Sequence, residues 1–334
     1  MGEGAYHPLS WQQTPWRQLW QAFKQQRLPH ALLLSGAAGL GKGVFARAFA
    51  QSCLCDQPDE NGLACGRCRH CQLIMSSHHP DFQWIRPEEE SKSGEIKIDA
   101  IRELTDSAAL TAHSAKYKVI AIEPAHRMNH AAANSLLKTL EEPTSGTIIL
   151  LLTDQPARLL PTIRSRCQAV AFHPPVREEA QSWLAGRVNH AKPELLLALA
   201  NGAPLKALAL DDPELLKLRE VMLSGFLALG EGRQDPVKLA GQWVGLDPKL
   251  VLEWLLSWVI DLQYLKTVDS PQLLFNPDRA QALQKTADKL NSRALQGYLQ
   301  SLYQASGLID RNINLQLALE RLLIEWQACA RAAR

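Results

Sequence analysis

Five of the seven cysteines in the chain fall between Cys53 and Cys71, and thiol side chains at close spacing point first to metal binding. Cys65-Gly-Arg-Cys68-Arg-His-Cys71 places three thiols at x2 spacing, and nine residues intervene between Cys55 and Cys65. That is enough chain for a tetrahedral four-thiolate zinc site made of Cys55, Cys65, Cys68 and Cys71 to close. An iron–sulfur run would want another cysteine after three intervening residues beyond Cys71, where Met75 stands instead. Four thiolates leave no open position for water, so the expected zinc is structural and rigidifies an insert, about residues 53–75, whose own core is too small. Cys53 competes with Cys55 as the fourth ligand. His70, His78 and His79 are weaker substitutes, expected at the surface.

A second constellation is Gly36-Ala-Ala-Gly39-Leu-Gly41-Lys42-Gly43. It meets the G-x-x-x-x-G-K spacing of a phosphate-binding loop, in which glycines let backbone N–H groups turn inward and Lys42 adds charge near the β- and γ-phosphates. The next position should offer a hydroxyl to Mg²⁺, and it is Gly43. A later apolar run ends Ile122-Glu123-Pro124. Glu123 can serve a metal, but Pro124 stands where a water-orienting carboxylate belongs. The loop therefore predicts an inherited shape with weak or absent ATP binding.

The elements that must position these groups are legible from periodicity. His30–Ser35 reads as a buried strand ending at Gly36, and Lys42–Ser52 resumes with helical spacing. Further strands are expected at Asp81–Arg86, Tyr117–Ile122 and Thr147–Thr153, with a helix from an Asn129 cap to before Pro143. Alternating strands and helices imply a mostly parallel sheet covered on both faces. After His173-Pro174-Pro175 the pattern turns all-helical, with short helices at Arg177–Val188 and Pro193–Ala200 and a linker at Asp211-Asp212-Pro213. Trp16, Trp20, Trp254, Trp258, Leu262, Leu315, Leu319, Leu322 and Trp326 are expected in cores or subunit interfaces. Lys plus Arg number 36 against 34 Asp plus Glu, so no charge excess advertises a nucleic-acid partner. The first thirty residues lack a signal pattern and no aliphatic run is long enough to span a bilayer. A soluble, cytoplasmic protein without a membrane partner is expected.

Three stretches add a family resemblance. His79-Pro-Asp-Phe82 leads to Ile98-Asp-Ala-Ile-Arg102; Asn134-Ser-Leu-Leu-Lys-Thr-Leu-Glu-Glu-Pro143 follows; and Thr162-Ile-Arg-Ser165-Arg166-Cys167 closes the run. With the loop and the cysteine insert, the chain resembles the AAA+ clamp-loader family of bacterial DNA polymerase III, and within it the stator-type members. The resemblance implies an α/β AAA+ parallel-sheet nucleotide-fold domain with a zinc insert over residues 1–173. It also implies a small helical lid over 174–210 and an all-α oligomerisation collar over 211–334.

The same resemblance implies a role for a defective ATPase. The arginine of the Ser-Arg-Cys motif, Arg166 here, would be offered as a finger to the ATP site of a neighbouring gamma/tau motor subunit. In the lid, motor subunits carry Gly-Ser-x-Arg, and the matching stretch Gly202-Ala-Pro-Leu205-Lys206 has Leu205 in the arginine's place. The implied partners are motor subunits and a delta subunit in a hetero-oligomeric ring, with the sliding clamp and primer–template DNA met through the whole assembly. The chain would have no catalysis of its own, although its complex belongs to a DNA-directed DNA polymerase, a nucleotidyltransferase. Two rival readings are an autonomous Mg²⁺-dependent ATPase built on Gly41-Lys42, and a zinc-knuckle nucleic-acid reader using Arg67 and Arg69.

Overall fold

A computed structural model of the 334-residue chain describes residues 5–88, 94–109, 115–268, 273–308 and 314–332. The chain divides into two compact units, Met1–Pro175 and Val176–Arg334. In the first, helix α1 (Gln13–Lys24) precedes β1 (Ala31–Ser35), α2 (Lys42–Leu54), α3 (Arg69–Met75), β2 (Phe82–Ile85), α4 (Ile98–Ala109) and β3 (Lys118–Ile122). Then come α5 (His130–Glu141), β4 (Thr147–Thr153), α6 (Pro161–Arg164) and β5 (Gln168–Ala171). Among the described residues the five strands form one parallel sheet in the order β2-β3-β4-β1-β5.

The strand order explains the burial. β3, β4 and most of β1 are buried along their length, because strands covered by helices on both faces carry side chains that all need apolar neighbours. Ile120, Ile122, Ile149 and Leu151 pack on one face with Leu136 and Leu140 of α5 and Ile163 of α6. α2 packs against β3 and β4, and Trp16 of α1 meets Phe45 and Phe49 of α2 edge-on at 5.6 and 5.9 Å. Trp16 and Trp20 are both buried. Asn129 caps α5, its Oδ1 accepting from the Ala132 amide at 2.8 Å.

Periodicity predicts four strands, and β5 adds a fifth. It lies at the sheet edge and only Val170 of its four residues is buried, so it lacks the apolar run that marks the others.

The second unit is helical throughout its described residues: α7 (Arg177–Leu184), α8 (Pro193–Leu199), α9 (Pro204–Ala209), α10 (Pro213–Gly230), α11 (Pro236–Trp243), α12 (Pro248–Thr267), α13 (Ala280–Ala287), α14 (Ser292–Leu308) and α15 (Leu315–Arg331). Its described residues gather in hydrophobic clusters. One joins Ala180, Leu184, Leu196, Leu197 and Ala207; another centres on Phe226, Trp258, Leu262, Leu323 and Trp326. Trp326 stacks on Phe226 at 4.1 Å and donates its indole N–H to the Phe226 carbonyl at 2.8 Å. Asp212, Asp235 and Asp247 cap α10, α11 and α12, each followed by proline at the first helical position. The expected linker at Asp211-Asp212-Pro213 is thus largely a helix start, and Asp211 accepts from the Asn189, His190 and Ala191 amides.

Candidate functional site

The cysteine cluster is assembled by the end of α2, the loop after it and the start of α3. α2 ends at Leu54, and Cys55 follows in extended backbone, which turns its thiol towards Cys65, Cys68 and Cys71. The four Sγ atoms all lie within 4.8 Å of one another, with Cys65–Cys71 and Cys55–Cys68 at 4.0 Å. Four sulfurs around a zinc ion stand about 3.8 Å apart at the usual Zn–S length, so the spacing fits a metal with little contraction. Amide N–H groups of Cys65, Cys68 and Cys71 point at the sulfurs of Cys55, Cys65 and Cys68 at 3.3, 3.3 and 3.5 Å, an arrangement that favours thiolates. Burial pushes the Cys55 thiol up to about 11. Burial also acts to raise Cys65, but hydrogen bonds from the Arg67 and Cys68 amides and from the Cys55 and Cys68 side chains together outweigh it and hold that thiol at about 7. Such a set takes up a divalent cation with proton release.

Cys53 stands apart, buried within α2, and burial raises its thiol well above the ordinary value. His78 is exposed, as expected, but His70 and His79 are not surface residues. They are 8% and 5% exposed and bonded to each other, Nδ1 to Nε2, at 2.8 Å. This pair ties the first turn of α3, where His70 lies between Cys68 and Cys71, to the entry of β2.

The phosphate-type loop leaves β1 at Gly36 and enters α2 at Lys42. Gly36 has φ +150°, and a Cβ there would sit 2.4 Å from the Phe172 carbonyl oxygen, so no other residue fits. Gly39 and Gly41 have φ 81° and 83°. Lys42 folds back on the loop, its Nζ donating to the Gly36 and Ala37 carbonyls at 2.7 and 2.9 Å. Burial lowers its pKa while Asp154 and Glu123 pull the other way. The far side of the loop is braced by buried Gln12, whose Nε2 donates to Leu40 and Gly41 carbonyls at 3.0 and 2.9 Å, and by the Trp11 indole on the Leu40 carbonyl at 3.1 Å.

Glu123 reaches the loop from the end of β3. A Cβ on Gly43 would meet Glu123 Oε1 at 3.2 Å, and Glu123 Oε2 accepts from Arg86 Nη2 at 2.7 Å. The carboxylate that spacing offered to a metal is thus paired with a guanidinium. Arg86 and Gln12 escape a sequence reading because neither belongs to the loop's spacing. An apolar-strand end followed by a lone arginine is the one signal for the first.

Arg166 lies outside both constellations. It follows the single-turn helix α6, and its partners are the Thr162 carbonyl, which accepts from Nη1 at 3.0 Å, and Glu141 Oε1, 2.7 Å from Nη2. Its side chain is 37% exposed. Ser165 Oγ donates to the same Thr162 carbonyl at 3.1 Å. Burial raises the Cys167 thiol to about 11, which keeps it unreactive. In the second unit Leu205 is half-buried, and Lys206 pairs with Glu253 at 2.5 Å.

Comparison with known proteins bears on both units. Residues 11–176 match the family model described as DNA polymerase III, delta subunit, and residues 213–328 match that described as DNA polymerase III, delta subunit, C terminal. The chain is 35% identical over 323 residues to DNA polymerase III subunit delta-prime of Pseudomonas aeruginosa, covering 95% of this chain and 96% of that one. To the Escherichia coli subunit delta-prime it is 32% identical over 291 residues, 86% of this chain and 85% of that one. The DNA polymerase III subunit tau/gamma of Haemophilus influenzae is 35% identical over 158 residues, 47% of this chain and 22% of that one.

Proposed function

The chain belongs to the family of DNA polymerase III delta-prime subunits, and from that premise we propose that it is the stator-like member of a clamp-loader complex. In this reading the sheet unit is a nucleotide fold that no longer turns over ATP, residues 174–210 are a lid and residues 211–334 a collar. The collar assembles with gamma/tau motor subunits and a delta subunit in a hetero-oligomeric ring. The ring loads the sliding clamp onto primed DNA in the bacterial cytoplasm. None of the described helices is long and apolar enough to cross a membrane, and no membrane partner is invoked.

Arg166 is the group that acts. A planar guanidinium brought against the γ-phosphate of ATP on a motor subunit offsets charge as the phosphoryl group transfers. The observation that carries this reading is the placement of Arg166. It is part-exposed, and its partners lie on α5 and α6 rather than on Gly36, Gly39, Gly41, Lys42 and Gly43 of the chain's own loop. That loop supports the complementary half: Gly43 has no hydroxyl, Glu123 is paired with Arg86, and Pro124 has no acid–base group. ATP binding to this chain is accordingly weak or absent. Cys55, Cys65, Cys68 and Cys71 would hold one zinc ion, which cross-links the insert and takes no part in phosphoryl transfer.

The test separates helper from motor. Assayed alone with Mg²⁺-ATP, the chain should show no turnover; added to motor and delta subunits with clamp and primed DNA, it should raise their hydrolysis. Turnover by the isolated chain that disappears in Lys42→Ala would instead establish an autonomous ATPase. Salt-dependent DNA binding by the isolated chain, lost on charge reversal of Arg67 and Arg69, would favour the nucleic-acid reader.

A further inference from the structure

The Leu-Leu-Lys-Thr-Leu-Glu-Glu-Pro stretch of α5 carries the resemblance but no role assigned so far. We propose that its Glu141 is the positioning residue for Arg166, holding the guanidinium in the orientation it needs for an ATP phosphate on a neighbouring subunit. The inference rests on the arginine-finger reading and adds to it the residue that aims the finger.

Two anchors fix the guanidinium. Nη2 lies 2.7 Å from Glu141 Oε1, and Nη1 donates to the Thr162 carbonyl at 3.0 Å. An arginine has five N–H donors, so after one bond from each terminal nitrogen three remain for a phosphate. Both anchors rest on one core. Leu140, beside Glu141, is 2% exposed, Ile163, between Thr162 and Arg166, is fully buried, and both belong to the cluster under α5. Main-chain movement of one anchor against the other would break that packing, so the fold fixes the main chain beneath both anchors, while the two side chains meet at the surface, 37% and 50% exposed.

The charge of Glu141 points the same way. It occupies the last residue of α5, with the Glu142 backbone N–H donating a hydrogen bond to the Lys138 carbonyl at the helix end and Pro143 preventing continuation. A carboxylate at a helix C-terminus meets the negative end of the macrodipole and is unfavourable there. The helix gains nothing from this charge; the partner guanidinium does. A side chain with many rotamers that is held at both ends loses less freedom when it meets a phosphate, and this is the kind of pre-organisation that lowers a transition state more than a ground state.

The experiment compares wild type, Glu141→Ala, Glu141→Gln, Arg166→Ala and the Glu141→Ala/Arg166→Ala double variant. Each is assembled with motor and delta subunits, and steady-state ATP hydrolysis is measured with clamp and primed DNA. Glu141→Ala should lower kcat roughly 3- to 10-fold with little change in KM for ATP, since the contact acts in the transition state. Glu141→Gln keeps an acceptor oxygen without its charge and should fall between. The double variant should be no worse than Arg166→Ala alone, because the two residues act as a unit. If Arg166→Ala is impaired while both Glu141 variants behave as wild type, the positioning role is overturned and the finger stands. A rise in kcat on losing Glu141, or additive losses in the double variant, would also overturn it. Should Glu141→Ala fail to assemble, the kcat and KM of Glu141→Gln decide. If Arg166→Ala itself leaves hydrolysis unchanged, the finger reading falls and takes this inference with it.

Discussion

The absence of a side chain at Gly43 and the paired carboxylate of Glu123 meet at one point of the loop. Glu123 Oε1 occupies the space beside Gly43, where a hydroxyl-bearing side chain would stand, and Arg86 supplies the positive charge that Oε2 would otherwise seek. An ion pair this exposed is worth at most about 1 kcal/mol, so its effect is to define geometry rather than to add stability. The buried histidines have a sharper consequence. His79 Nδ1 accepts from the Asp81 amide at 3.0 Å and so carries no proton; its Nε2–H then donates to His70 Nδ1. Burial first, then the neighbouring His70, lower the pKa of His79, against a smaller opposite effect of Asp81. Below about pH 6.5 the unfolded chain binds more protons at this site than the folded one, so stability present at neutral pH is lost as pH falls through that value. Thermal unfolding between about pH 7.5 and about pH 5 should therefore show a steeper loss in wild type than in His79→Gln. Identical slopes would contradict the assignment of a neutral, buried His79.

The cysteine insert shows how an element boundary selects a ligand. α2 keeps Cys53 turned into its own packing and releases the chain one residue before Cys55, so two thiols close in sequence have different fates. Metal analysis should find one zinc per chain in wild type and in Cys53→Ser, and most of it lost in Cys55→Ser; the reverse pattern would transfer the fourth ligand to Cys53. Spacing makes three of the four ligands legible. The fourth needs the helix end, which apolar periodicity locates only to within a residue or two. The same limit governs the strands. β3 and β4 are buried throughout and read clearly from the sequence as Tyr117–Ile122 and Thr147–Thr153, whereas β5 presents one buried side chain and leaves no apolar pattern. Asp212-Pro213 reads as a linker because a cap and an N1 proline look like a turn until the helix behind them is seen. Glu141 goes unassigned for a related reason: its partner lies 25 positions away, from 141 to 166, joined only through the packing of α5 and α6.

At the scale of the whole molecule, nearly equal numbers of basic and acidic residues suit the proposed reading, in which this chain assembles with other proteins and the ring as a whole meets DNA. The order of the nucleotide fold, the degenerate loop and the helical remainder is legible because each rests on local pattern. Which residues complete the surface that meets a neighbour is not, since those groups come from separate elements. The proposed division of labour has this chain donate a guanidinium while a motor subunit hydrolyses ATP. The most direct measurement replaces Arg166 by alanine, confirms that the motor and delta subunits still assemble with the chain, and follows ATP hydrolysis in the presence of clamp and primed DNA. Loss of about tenfold or more at the motor site served by this chain, with assembly intact, is the predicted result; hydrolysis at the wild-type rate in a fully assembled complex would contradict it.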